Sequence, residues 1–139
     1  MTENLIWTKP PKTRPTRPGY VELVRAWSYY SARLDQKIEI PALFEFDWDS
    51  LKRWMPLSYA WLKGRAMVSA LIHDDLYRYQ RDGKGNSISR KTADLVFWDA
   101  MVAEEVAWRH RTAIYYGVRL GGAGAWRRYR RQRHVRGVD

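Results

Sequence analysis

Apolar residues that recur at intervals of three and four predict helices in the second half of the chain. Residues 63–79 follow this spacing and predict an amphipathic helix, which the string DGKGNS ends. Ser89 suits the N-cap of a second helix that runs to about residue 107. A third helical stretch, residues 108–120, stops at Gly121-Gly122. We expect the first two helices to fold back on each other as an antiparallel hairpin.

Alternation of apolar and polar residues predicts short strands before these helices. Residues 20–27 alternate in this way, and so do residues 36–41, which favours a short hairpin packed on one face. Residues 42–56 are aromatic and acidic without a clean period, and they predict a structured loop leading into the helices. The predicted fold class is therefore α+β and helix-dominated.

The length and composition indicate one domain with two extensions. The chain has 139 residues, of which 45% are hydrophobic, enough for one core. Four of the six prolines lie among basic residues in KPPKTRPTRPG, and such a segment should be extended. We expect a basic proline-rich arm over residues 1–19, a globular domain over residues 20–125, and an extended arginine-rich tail over residues 126–139.

The formal charge of +10 is concentrated in these two extensions. Residues 1–19 carry +3 and residues 126–139 carry +5, so about +2 remains for the domain between them. Such arms suit an anionic partner, which would be nucleic acid, lipid headgroups or an acidic protein surface. The alternative is a solvated tail that only keeps the protein soluble. The candidate anion-binding residues are Lys12, Arg14, Arg17, Arg127, Arg128, Arg130, Arg131 and Arg133.

Composition excludes several kinds of chemistry. The chain has no cysteine, so disulfides, thiolate zinc sites and cysteine nucleophiles are ruled out. The first residues have no apolar core of the kind found in signal peptides, and the longest apolar stretch is far short of the roughly 20 residues that span a bilayer. We therefore expect no transmembrane segment.

One short motif carries candidate chemistry. His73, Asp74 and Tyr77 form an H-D-x-x-Y string in the first predicted helix, and Asp94 lies in the second. His73 and Tyr77 share a helix face, whereas Asp74 points about 100° away. Across the hairpin, Asp94 could fix the tautomer of a histidine base while Asp74 holds a hard cation. Alternatively, Asp94 only accepts hydrogen bonds from His73 and Tyr77 and thereby locks the hairpin.

A second acidic segment, FDWDS, precedes the helices. Asp47, Asp49 and Ser50 offer oxygen ligands of the kind that calcium prefers. The alternative is that these side chains cap the following segment or pair with Lys52 and Arg53. The sequence leaves both interpretations open.

Three motifs together resemble a phage and prophage family catalogued as a domain of unknown function. They are I-P-x-x-F-x-x-D-x-x-S from Ile40, H-D-x-L-Y from His73, and S-R-x-x-A-D from Ser89, within a match of about residues 20–120. The resemblance implies a phage or prophage genomic setting. We therefore expect a virion component made in the cytoplasm of the bacterial host, with other virion proteins as partners in multiple copies.

The helical hairpin is also similar, more distantly, to that of phospholipases A2. This resemblance implies that His73 is the general base that activates water, that Asp94 orients it, and that Tyr77 supports Asp94 by a hydrogen bond. It also implies calcium as a cofactor, with Asp74 as a ligand.

Three functions follow as expectations. The first is a structural protein of a phage tail, baseplate or neck, anchored by its basic arms and carrying a His–Asp site. The second is a calcium-dependent hydrolase that acts on phospholipid or another ester of the host envelope. The third is a nucleic-acid-binding accessory protein that acts through its arginines.

Overall fold

A computed structural model describes residues 4–47 and 67–132 of the chain. Within these residues the fold is α+β, as predicted, with six strands followed by four helices. The strands are β1 (Leu5–Ile6), β2 (Thr13–Arg17), β3 (Tyr20–Leu23), β4 (Trp27–Ser31), β5 (Gln36–Ile40) and β6 (Glu45–Asp47). The helices are α1 (Met67–Tyr79), α2 (Arg90–Ala103), α3 (Trp108–Gly121) and α4 (Ala123–Gln132).

The strands form two small antiparallel sheets, in the orders β1-β4-β5 and β2-β3-β6. The second predicted strand exists as β5, but it forms its hairpin with β4, where Tyr29 lies opposite Ile38, and not with residues 20–23. The predicted strand over residues 20–27 is divided, because β3 lies in one sheet and Trp27 begins β4 in the other. The chain bends between them, where the Val24 N–H bonds the Lys12 carbonyl.

The N-terminal segment was predicted to be an arm outside the domain, and this prediction is wrong for its described part. β1 pairs with β4, and β2 pairs with β3. Leu5 is fully buried, and the Trp27 Nε1–H donates to the Lys9 carbonyl at 2.6 Å. The segment is extended, as its prolines indicate, but its backbone is paired within the sheets. Pro15 is tolerated there because β2 lies at a sheet edge.

The C-terminal segment also differs from prediction. We expected residues 126–139 to be extended, whereas α4 continues to Gln132. Trp126 and Tyr129 are half-buried and pack against the core, which explains why this segment is helical despite its many arginines. Residues 133–139 lie outside the described part.

α1 and α2 form the predicted antiparallel hairpin. Glu104, just after α2, accepts hydrogen bonds from the N–H groups of Val68 and Ser69 at the start of α1. Ser89 is the N-cap of α2, as predicted, and its side chain accepts from the Thr92 N–H. α2 ends at residue 103, before the predicted residue 107, because Glu104 caps it and Glu105 has a φ of 61°.

One hydrophobic core joins the sheets to the helical hairpin. Its buried side chains come from both sheets and from α1, α2 and α3. The largest fully buried ones include Tyr29, Tyr77, Phe46, Phe97, Leu71, Ile72, Leu76 and Met101. In the described residues, no helix is both long and apolar enough to cross a membrane.

Candidate functional site

Asp94 of α2 is the centre of the candidate site. Its side chain is 0% exposed, and both carboxylate oxygens accept hydrogen bonds. Oδ1 receives the Tyr77 hydroxyl at 2.7 Å and lies 3.2 Å from His73 Nε2. Oδ2 receives Arg119 Nη1 at 2.7 Å and, more weakly, Arg90 Nη1 at 3.5 Å. One oxygen therefore faces the histidine and tyrosine, and the other faces the two arginines.

These contacts keep Asp94 ionised. Burial alone would raise the pKa of its carboxyl group, but the hydrogen bonds from His73, Tyr77 and Arg119 outweigh burial and leave the pKa below its usual value. Burial of Tyr77 raises the pKa of its hydroxyl, and the adjacent Asp94 charge raises it further. Tyr77 thus remains a hydrogen-bond donor to a charged acceptor.

His73 is held in its neutral form. It is 4% exposed, and its ring centroid lies 4.1 Å from that of Tyr77 and 4.5 Å from that of Phe97. Burial lowers the pKa of the imidazole more than the Asp94 hydrogen bond raises it. Because Nε2 is the ring atom that contacts the carboxylate, the neutral ring carries its hydrogen on Nε2 and donates it to Asp94. Nδ1 is therefore the unprotonated nitrogen. This arrangement is that of an oriented general base.

The C-terminal helices lie against the same cluster. The Trp126 ring of α4 meets the Tyr77 ring edge-on at 5.1 Å, and Gln80 Nε2 donates to the Trp126 carbonyl at 2.6 Å. Between α3 and α4, Gly122 approaches Tyr77 so closely that an added Cβ would lie 2.5 Å from the hydroxyl oxygen. Arg119 of α3 completes this side of the site.

Three parts of the site were not predicted from the sequence, namely Arg90, Arg119 and Gly122. Arg90 precedes Asp94 by four residues in α2, so its helical spacing was a readable signal. Arg119 follows Asp94 by 25 residues, and no local pattern connects the two. Gly122 was recognised only as part of a helix end.

The predicted catalytic residues His73, Tyr77 and Asp94 are brought together in the arrangement expected from their spacing. The predicted calcium ligands are not assembled by the described residues. Asp74 is half-buried on α1, next to His73. Asp47 ends β6, but its side chain lies outside the described part, as do Asp49, Ser50, Lys52 and Arg53.

A calcium site lacks support from residues 4–47 and 67–132. They contain no group of three or more histidine and acidic side chains placed to hold a metal ion. Since Ca²⁺ takes six to eight oxygen ligands, Asp74 alone does not fit the requirement.

The predicted anion-binding residues have two different environments. Arg14 and Arg17 pair with Glu22 and Glu45 within the β2-β3-β6 sheet, at 2.6 and 3.1 Å. The backbone carbonyl of Lys12 accepts a sheet-like hydrogen bond. The four described tail arginines, by contrast, are exposed on α4; they are Arg127, Arg128, Arg130 and Arg131. Arg133 lies outside the described part.

These features define an α+β protein with a buried His–Asp–Tyr cluster between two antiparallel helices. The chain belongs to the family described as protein of unknown function (DUF1353), whose family model matches residues 21–118. The predicted membership of a family of unknown function is thereby confirmed. The match includes His73 and Asp94 and ends one residue before Arg119. No curated protein and no solved structure matches the chain.

Proposed function

We propose that His73 and Asp94 form the general-base dyad of an ester hydrolase that acts on phospholipid, as the resemblance to phospholipases A2 implies. The observation that carries the proposal is the contact between His73 Nε2 and Asp94 Oδ1 at 3.2 Å. This contact fixes the tautomer in which Nδ1 can accept a proton. Burial favours the neutral ring, which is the form that a general base needs.

The chemistry follows from the two nitrogens. Nδ1 takes a proton from a water molecule while the water oxygen attacks the ester carbonyl carbon. The Asp94 carboxylate stabilises the imidazolium through Nε2–H and stays ionised because Arg119 and Tyr77 bond it. When the tetrahedral intermediate collapses, the acyl C–O bond breaks and the proton on Nδ1 passes to the departing alkoxide. The products are a carboxylic acid and an alcohol, and His73 returns to its neutral form.

We further propose that the site works in a bacteriophage particle, as part of a tail, baseplate or neck. The support is the resemblance of the motifs around Ile40, His73 and Ser89 to a phage and prophage family. The ester would then belong to the envelope of the host bacterium.

A second candidate function is purely structural. Asp94 is fully buried between two arginines, and a buried ion pair of this kind can hold α2 against α3 without any chemistry. In that case the protein is a structural component of the particle, and the cluster around Asp94 only fixes the helical hairpin.

The first test is phospholipid hydrolysis by the purified protein, with calcium and with a chelator. His73→Gln removes the base, and His110→Gln is the matched control because His110 lies in the first turn of α3, nine residues before Arg119. We expect fatty acid release that is lost in His73→Gln and kept in His110→Gln. The calcium and chelator arms decide whether a metal takes part. Absence of release by the wild-type protein in every condition would refute the hydrolase.

The particle role needs a different experiment. Deleting residues 1–19 would remove β1 and β2 from the sheets, so exposed residues should be changed instead. Phage that carry Arg127→Gln and Arg131→Gln test anchoring, and phage that carry His73→Gln test the site. Assembled but non-infectious His73→Gln particles would support a hydrolase within the virion. Fully infectious His73→Gln particles would contradict it.

A further inference from the structure

The last two described helices carry a strong positive charge without acidic residues. Residues 108–132 contain seven arginines and no aspartate or glutamate. Two of the seven are used internally, since Arg111 bonds the Val106 carbonyl and Arg119 bonds Asp94. The other five are exposed, and they are Arg109, Arg127, Arg128, Arg130 and Arg131.

α3 also exposes large apolar side chains. Leu120 is 88% exposed, Trp108 is 65% exposed and Tyr116 is 61% exposed. Leu120 and Tyr116 are four residues apart on the face opposite Ile114 and Val118, which are buried in the core. Arg109 lies on the same outer face, seven residues before Tyr116. The outer side of α3 therefore combines arginine with aromatic and aliphatic groups.

This combination suits a lipid surface better than nucleic acid. Arginines would meet phosphate in either partner. Leu120, however, gains nothing from the phosphate backbone of a duplex, whereas the boundary of a bilayer removes its apolar surface from water. Tryptophan and tyrosine are the residues that favour the membrane–water interface, where the ring is apolar and one end stays wet.

We propose that α3 and α4 form a docking surface for an anionic phospholipid bilayer. The exposed arginines contact the headgroup phosphates, and Leu120 and Tyr116 enter the boundary between headgroups and acyl chains. The inference rests on the proposed hydrolase and deepens it, because it makes the substrate a phospholipid held in a bilayer. Both helices contact the candidate site, through Arg119 and through Trp126. Docking therefore sets the bilayer against the two helices that pack on the site.

The test is co-sedimentation of the full chain with phosphatidylcholine vesicles that contain or lack phosphatidylglycerol. We expect binding only to the anionic vesicles. Replacing Leu120 by Asn should weaken it on the order of tenfold, because an aliphatic side chain no longer leaves water. Arg127→Gln and Arg131→Gln should each weaken it by about fivefold, the effect of one cation near an anionic surface.

Leu43→Asn is the matched control. Leu43 is 61% exposed, its N–H bonds the Leu23 carbonyl of β3, and asparagine tolerates its φ of 67°. The Leu43→Asn variant should bind the anionic vesicles as tightly as the wild-type protein does. An equal loss in Leu43→Asn and Leu120→Asn, or no loss in Leu120→Asn, would overturn the proposed surface. Binding to duplex DNA but not to vesicles would overturn it in favour of nucleic acid.

Docking and hydrolysis fail in different ways. The same binding assay on His73→Gln should give the wild-type affinity, since His73 is 4% exposed and lies in α1, outside the two docking helices. Binding without hydrolysis by the wild-type protein would uphold docking and refute the hydrolase. Hydrolysis without preference for anionic vesicles would refute docking and uphold the hydrolase.

Discussion

Gly122 should be irreplaceable because of its contact with Tyr77. Its φ of −81° and ψ of −11° are accessible to any residue, so alanine would bring no backbone strain there. The added Cβ, however, would lie 2.5 Å from the Tyr77 hydroxyl oxygen and 2.7 Å from the Val118 carbonyl oxygen. Gly122→Ala therefore tests how tightly the end of α3 packs against the candidate site.

The expected cost comes from two effects. Tyr77 is 2% exposed and lies between the His73 and Trp126 rings, so its hydroxyl group cannot swing aside freely. Overpacking of this kind costs about 1–3 kcal/mol. A hydrogen bond to a charged group contributes about 1.5–3 kcal/mol, and displacement of Tyr77 would weaken its bond to Asp94. Because the two effects overlap, we expect the free energy of unfolding to fall by about 2–4 kcal/mol.

The assay is urea-induced unfolding of the wild-type protein, Gly122→Ala and Gly124→Ala. Gly124 is the matched control, because a Cβ added there would meet nothing within 4 Å. In α4 its replacement by alanine should raise stability by up to about 1 kcal/mol, through helix propensity. If Gly122→Ala were as stable as the wild-type protein, the close packing of Tyr77 against Gly122 would be refuted.

Three further changes test the helical hairpin and its attachment to the sheet. Asp94→Asn should lower the free energy of unfolding by about 3 kcal/mol, because Arg119 loses its buried charged partner; a urea midpoint equal to that of the wild-type protein would contradict this. Burial raises the pKa of Glu104, so the folded state holds the Glu104 proton more tightly than the unfolded state does. Protonation of Glu104 therefore stabilises the folded state, and this stabilisation is lost as the pH rises from 4.5 through the folded-state pKa. The free energy of unfolding of the wild-type protein, relative to that of Glu104→Gln, should therefore increase on acidification. If unfolding curves showed the same difference between the two proteins at neutral and at acid pH, the role of Glu104 would be refuted. Arg33→Lys should cost about 1 kcal/mol, because lysine cannot reproduce the two hydrogen bonds to Asp99 at 2.7 and 3.0 Å; a thermal midpoint unchanged from wild type would argue against it.

Local patterns were sufficient to predict the helical hairpin and the centre of its site. The spacing of His73 and Tyr77 places both on one face of α1, and the break before Ser89 turns the chain back. Asp94 then has to come within reach of that face. These features depend on residues that are close in sequence, where helix periodicity and capping determine the structure.

Features set by distant pairing could not be predicted in the same way. The proline pattern of residues 10–18 indicates an extended backbone but does not say which strand it joins, and β2 pairs with β3 only because the chain turns at Gly19. The partnership of Leu5 with Ser31 spans still more of the chain. α4 did offer a local signal, since Trp126 and Tyr129 lie three residues apart on one helix face. We predicted an extended tail over these residues, whereas both rings pack against the core.

The two oxygens of Asp94 separate the two candidate functions. A structural lock through the arginines depends on Oδ2, because the arginines supply the charge that compensates a buried carboxylate. A hydrolase depends on Oδ1, because that atom orients the histidine. A lock therefore predicts a large loss of stability in Arg119→Met and a small one in His73→Gln, since neutral His73 contributes only one hydrogen bond to the carboxylate. The hydrolase predicts that the same small structural change in His73→Gln removes all activity. Stability and activity measured on these two variants thus assign a role to each oxygen independently.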